Sequence, residues 1–124
     1  MRKNISGSSP FEPIIGFSRA VRVGNTIYVA GTGPVGADNE NVAGQTRRVF
    51  AIAEKALTDA GASFRDVVRT RMFLTHVEDW EAVGRIHGEF FANTRPAATM
   101  VIVSGFLNPA WRIEIEFDAV VSDS

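Results

Sequence analysis

The chain contains no cysteine, which excludes disulfides, thiolate metal sites and cysteine nucleophiles and leaves the redox compartment open. It has only two histidines, His76 and His87, and they lack the His-x-x-x-His spacing of a metal-binding helix, so no metal is expected. Long hydrophobic runs are missing too: nothing approaches the ~20 apolar residues of a membrane-spanning helix. The basic start Met1-Arg2-Lys3-Asn4-Ile5-Ser6 leads into Gly7, Ser8, Ser9 and Pro10 rather than an apolar signal core. The expectation is a cytoplasmic protein with no membrane partner. An excess of positive charge is also lacking. The net charge of -1 provides no basic footprint for phosphates, which disfavours nucleic acid as a partner. Gly31-x-Gly33 lacks the third glycine and the βαβ setting of a dinucleotide fingerprint, so no cofactor is expected.

What is present suits one globular domain over residues 1–124. Hydrophobic residues make up 45% and charged residues 22% of 124 residues, an ordinary balance for a chain able to build a single core. Residues 1–13 are expected to be a loosely ordered lead-in, with Gly7 to Pro13 rich in turn formers. Ser18 to Val23 and Thr26 to Ala30 flank Gly24-Asn25 and predict a hairpin. The glycine-rich stretch Gly31-Thr32-Gly33-Pro34-Val35-Gly36 then predicts either a tight turn or a backbone that closely approaches a ligand.

Apolar residues at Val49, Ile52, Ala53, Ala56, Leu57 and Ala60 predict an amphipathic helix over Val42 to Ala60, stopped by Gly61. Val67 to Leu74 predicts a strand with Val68, Met72 and Leu74 on the apolar face and Val67, Arg69, Arg71 and Phe73 on the other. Asp79 is placed to cap a second helix running to about Asn93, with Trp80, Val83, His87, Phe90 and Phe91 on one face. Thr99 to Ser104 reads as a buried strand. Trp111 to Val121 reads as the longest one, with Trp111, Ile113, Ile115, Phe117 and Ala119 facing opposite to Arg112, Glu114, Glu116 and Asp118.

The order ββαβαββ implies an α+β fold, a mixed sheet with two helices on one face. Its other face would carry Arg69, Arg71, Glu114 and Glu116 beside apolar neighbours such as Phe73 and Val101. That mixture favours burial against sister subunits.

Several spaced segments now resemble the RidA/YjgF family, also labelled endoribonuclease L-PSP, over Gly16 to Ala119. They are Ser18-Arg19-Ala20-Val21 with Gly24, Gly31 with Pro34, Gln45-Thr46, Leu57, Ala60-Gly61, Asp66-Val67-Val68, Pro96-Ala97, and Ile113-Glu114-Ile115-Glu116 with Ala119. The resemblance implies a chorismate mutase-like fold and a homotrimer with a barrel-like centre and clefts at its subunit interfaces. It further implies cofactor-independent hydrolysis of enamines and imines to 2-keto acids and ammonia. In such relatives an arginine two residues after the proline binds the substrate carboxylate, and a glutamate positions water. Here Pro96-Ala97-Ala98 puts a methyl group where the guanidinium is expected, Phe17 replaces a usual tyrosine and Gly84 a usual asparagine.

Glu114 matches the water-positioning glutamate and is the candidate catalytic residue. A partly apolar cleft would raise its pKa toward neutrality, whereas an interface ion pair with Arg69, Arg71 or Arg112 is the alternative. Arg71, on the same predicted face, is a candidate anchor for an anionic substrate or half of a structural ion pair. Phe17, Gly31 and Met100 complete the candidate substrate-binding set, the last two through backbone groups. His76 is read as a loop histidine with a titratable ring, and His87 as a satisfied core or interface histidine. Three functions follow: a hydrolase or deaminase for a small imine, enamine or related carbonyl compound; a non-catalytic ligand-binding or chaperone-like trimer; and a ribonuclease or translation inhibitor, which the charge disfavours.

Overall fold

The computed structural model describes residues 1–122. Six strands form one mixed sheet in the order β1-β2-β3-β6-β4-β5, where β1 is Arg2–Ile5, β2 Ala20–Val23, β3 Thr26–Thr32, β4 Val67–Leu74, β5 Ala97–Ile102 and β6 Ile113–Val120. Only β4 and β5 run parallel. Helix α1 spans Phe11–Ile15, α2 Val42–Asp59 and α3 Trp80–Phe91. Two of these elements fall in the expected loose lead-in. β1 pairs with β2, and the buried Glu12 carboxylate accepts hydrogen bonds from the backbone N–H groups of Gly7 (2.9 Å) and Ser9 (3.3 Å). A single acidic side chain thus organises a turn-rich stretch that has no hydrophobic period of its own.

α2 starts where Asn41 accepts the Gly44 N–H at 2.9 Å and stops at Gly61, whose φ of +85° suits glycine alone. Its inward side carries Val49, Phe50, Ala53, Ala56 and Leu57. Phe50 is the hub of the core. Its ring centroid lies 5.6 Å from Phe117 of β6, 5.9 Å from Phe91 of α3 and 4.4 Å from Phe90, against which it stacks. The alternation of β6 is as the sequence implies: Ile113, Ile115, Phe117 and Ala119 are fully buried between the sheet and these helices.

Four expectations are corrected. In β4, Val67 pairs with Ala119 but Arg69 with Asp118, so Val68 is an extra, bulged residue. The bulge reverses the parity of the strand's start: Val67 is buried and Val68 is exposed. β5 starts at Ala97 and ends at Ile102, and it is an exposed edge strand rather than a buried one, with only Met100 reaching the core. In α3 the buried residues are Val83, Ile86 and Phe91, whereas Trp80 opens the helix in solvent. Finally, Asp79 makes no capping hydrogen bond. Its carboxylate accepts two from Arg112, Nε at 2.8 Å and Nη2 at 3.1 Å. A bidentate guanidinium outcompetes a single backbone N–H for a largely buried carboxylate.

Candidate functional site

The site begins with a second bulge. Val29 of β3 pairs with Phe117 and Thr32 with Ile115, so β3 carries one residue more than β6 between these pairs. Gly31 falls in that irregular stretch. Its carbonyl accepts a 2.6 Å hydrogen bond from Arg19 Nη2, and the Ala30 N–H donates to the Arg19 carbonyl at 2.9 Å. The bare α-carbon of Gly31 leaves room for Glu114: a Cβ there would stand 2.9 Å from Glu114 Oε1. Gly33 makes the same kind of room for the Trp111 indole, which a Cβ would overlap.

The surrounding loops are pinned by named contacts. Trp111 Nε1 donates to Asp38 at 3.0 Å, and Asn108 Nδ2 donates to the other carboxylate oxygen at 3.1 Å. Buried Gln45 donates to the Ala110 carbonyl at 3.0 Å and accepts from the Arg112 N–H at 2.8 Å. On the opposite side, the Glu12-centred turn carries Ser9, Phe11 and Ile15 to the rim. Together these pieces enclose a small cavity of about 110 Å³ in which Phe17, Arg19, Gly31, Trp111 and Glu114 meet, with Leu107 at its margin.

Electrostatically the cavity is asymmetric. Burial pushes the Glu114 carboxyl above its ordinary pKa, Arg19 pulls it back, and Glu116 adds to the rise. Burial likewise lowers the Arg19 pKa, while Glu12 and Glu114 support its charge. Among the described residues no direct ion pair joins Arg19 to Glu114, nor Glu114 to Arg69, Arg71 or Arg112. A carboxyl drawn toward its protonated form beside a buried cation has the ingredients for proton transfer and for holding water.

Of the sequence-predicted residues, Glu114, Gly31 and Phe17 come together in this cavity. Arg71 faces the same side of the sheet but lines a larger neighbouring concavity of about 580 Å³, separated by Phe17, which borders both. It is held 3.3 Å from both Glu116 and Asp118. Met100 pairs with buried Met72 and packs toward the core and α3, away from Glu114. Ala98 lies exposed on β5 opposite Thr70. His87 shares a 2.8 Å hydrogen bond with Thr70 and packs against Phe91, and burial lowers its pKa. His76 is exposed and bonds the Thr75 hydroxyl at 2.8 Å. Among the described residues no group of three or more His, Asp or Glu side chains is arranged to hold a metal ion, and no helix is long and apolar enough to cross a membrane.

Sequence reasoning missed Arg19 as a member of the site, along with the rim from Ser9 to Ile15. Arg19 and Ala20 are consecutive and both buried, so no alternation marks the arginine as special.

The family model described as endoribonuclease L-PSP matches residues 7–121. The chain belongs to this family. Among solved L-PSP-fold structures, a Mycobacterium tuberculosis protein described as a member of the highly conserved YjgF/YER057c/UK114 family is 42% identical, with a TM-score of 0.91 covering 98% of this chain and 100% of that one. The 2-iminobutanoate/2-iminopropanoate deaminase of Dermatophagoides farinae is 34% identical, covering 89% of each protein. The 3-aminoacrylate deaminase RutC of Acinetobacter baylyi is 33% identical, covering 83% of this chain and 85% of that protein. In this L-PSP family member the residues that carried the resemblance are largely structural. Gly31 makes space, Gln45 ties a loop and Gly61 ends a helix, while Arg19 and Glu114 bring charged groups to the cavity.

Proposed function

We propose that the chain hydrolyses a small imine, enamine or related carbonyl compound without a cofactor, in a cleft completed by neighbouring subunits of a homotrimer. The observation that carries this reading is the Glu114 carboxyl, raised in pKa by burial and set over Gly31 in a cavity bordered by Phe17 and Arg19. In its ionised form Glu114 accepts a proton from water as the oxygen attacks the C=N carbon. In its protonated form it passes that proton to nitrogen to complete the carbinolamine, then takes the carbinolamine hydroxyl proton and delivers it to nitrogen as the C–N bond breaks, leaving a carbonyl and ammonia. A raised pKa makes the protonated form more available than it is for an ordinary carboxyl. The deaminase names of two relatives belong to this same class of reaction.

Assembly is supported by the open side of the sheet. Tyr28, Val68 and Val120 are exposed there, and β5 presents Val101 and Ile102 along an edge with no neighbouring strand among the described residues. A partner subunit laid against these surfaces would close the cleft and bring the β5 backbone, including Met100, into play.

The test is steady-state hydrolysis of a panel of freshly generated imines, followed by release of ammonia. Glu114→Gln should reduce kcat by about 10²–10⁴-fold with the circular dichroism spectrum unchanged. A folded wild-type protein that turns over nothing in the panel would sink the hydrolase reading. A second reading, a ligand-binding trimer that has lost catalysis, is favoured by Ala98, which supplies no guanidinium at the usual position. A metabolite bound by the wild type and unchanged after long incubation would select it.

A further inference from the structure

The cavity as read above still needs a group to hold the substrate, and both places where sequence reasoning looked for a cation fail to supply one. Ala98 has no charge. Arg71 already faces two carboxylates, Glu116 and Asp118, which oppose the approach of another anion, and it lines the neighbouring concavity rather than the one holding Glu114.

We propose that Arg19, to which the family resemblance assigns no role, receives the anionic group of the substrate in this cavity.

Four observations converge on this residue. First, Arg19 lines the Glu114 cavity although it is only 4% exposed overall. Second, its guanidinium is only partly used: Nη2 is committed to the Gly31 carbonyl, whereas Nε is buried with no hydrogen-bond partner. Buried donors are almost always satisfied, and a wholly structural arginine would be expected to satisfy this one. An anionic oxygen is the acceptor that best suits such a donor, and planar guanidinium geometry matches the paired oxygens of a carboxylate or a phosphate. Third, among the described residues no carboxylate forms a direct ion pair with it: Glu12 and Glu114 support its charge without touching it, and Glu12 is taken up by the Gly7 and Ser9 N–H groups. Fourth, its orientation is fixed before any ligand arrives, by the Gly31 bond and by the Phe17 ring, whose centroid is 5.4 Å from the guanidinium carbon. A pre-set guanidinium loses little freedom on binding. The apolar surfaces of Phe11, Ile15 and Trp111 then face whatever hydrocarbon the substrate carries.

This inference rests on the cavity being a substrate site but not on turnover, so it is tested by binding. Pyruvate serves as the probe, with its methyl ester as the uncharged counterpart, titrated into ¹⁵N-labelled full-length protein. The arginine Nε–H resonance that disappears in Arg19→Lys identifies Arg19. Pyruvate is expected to shift that resonance saturably and the ester to leave it in place. Arg19→Gln should weaken pyruvate about ten- to hundredfold, the loss of a hydrogen bond to a charged group. The proposal is overturned if the resonance does not respond to pyruvate, if the ester shifts it equally, or if affinity survives in Arg19→Gln and is lost in Arg71→Gln. Should Arg19→Gln not fold, the wild-type and Arg19→Lys spectra decide alone. The two proposals fail separately. Saturable binding at Arg19 with no imine turnover leaves this one standing, whereas turnover with kcat/KM unaltered in folded Arg19→Gln removes it and keeps the hydrolase.

Discussion

Replacing Gly33 by alanine probes the scaffold of the cavity directly, because a methyl group there must overlap the six-membered ring of Trp111. The backbone of Gly33 is not in the left-handed region, so the strain is steric and not conformational. The indole cannot simply swing aside. It is 8% exposed, and its N–H is held by Asp38 at 3.0 Å. Overpacking of this kind costs about 1–3 kcal/mol, and giving up the bond to Asp38 adds roughly 1 kcal/mol. The expected total is about 2–4 kcal/mol, or on the order of 10 °C in Tm for a domain of this size. Thermal unfolding at fixed protein concentration, read by circular dichroism, measures the loss. Tryptophan emission reports the movement, because Trp80 is already exposed and only Trp111 can shift to the red. Gly88→Ala in α3 is the counterpart: its Cβ would meet nothing within 4 Å, so a helix-favouring gain of about 0.5–1 kcal/mol is expected. A Gly33→Ala protein with wild-type Tm and emission would refute the reasoning, and with it the claim that this glycine sets the cavity wall.

Glu114→Gln should alter the pH dependence of stability. A carboxyl whose folded pKa is raised makes ionisation costly in the native state. The wild type therefore loses stability relative to the variant as pH climbs through the acid range, and the gap closes below the ordinary carboxyl value of 4.5. Urea unfolding across pH checks this, and a gap that does not vary with pH contradicts it. Phe50→Ala removes the ring that touches Phe64, His87, Phe90, Phe91 and Phe117. It should cost about 3–5 kcal/mol, and a loss under about 2 kcal/mol by chemical denaturation would show that Phe50 is not the hub. Asp79→Ala leaves the half-buried Arg112 guanidinium without its bidentate partner, and a loss of about 2–3 kcal/mol is expected. A double-mutant cycle with Arg112→Ala should return a coupling above about 1 kcal/mol, since these two groups touch.

The alternation of β6 and the period of α2 were legible because each residue's environment follows from its own position in one regular element. Where a bulge intervenes that logic fails. Val67 and Val68 are chemically identical, and nothing in either residue tells which one the extra residue at the strand's start will turn outward. β5 was misread for a related reason: an apolar run looks buried, whereas a sheet edge is a matter of topology. The lead-in was misjudged because its order comes from the Glu12 carboxylate bonding two backbone groups, a contact with no periodic trace. Asp79 shows the opposite error. Its local signal as a helix cap was genuine, but Arg112, distant in sequence, offers it two donors in place of one.

The candidate site was half legible for the same physical reasons. Glu114 could be found because the family resemblance matches it to a glutamate, and the regular alternation of β6 sets it on the face away from the core. Arg19 could not, since its meaning arises only when the order β2-β3-β6 places Arg19, Gly31 and Glu114 on consecutive strand segments. The irregularity between Val29 and Thr32 supplies the final step. It removes Gly31 from regular pairing, which points one backbone carbonyl at Arg19 and leaves the space that Glu114 occupies. A strictly paired β3 would bury those groups in the ladder. The bulge is therefore the feature that converts three ordinary strands into a cavity with a cation and a carboxyl in it, and a chain that kept Arg19 and Glu114 but lost the bulge would keep the residues without keeping the site.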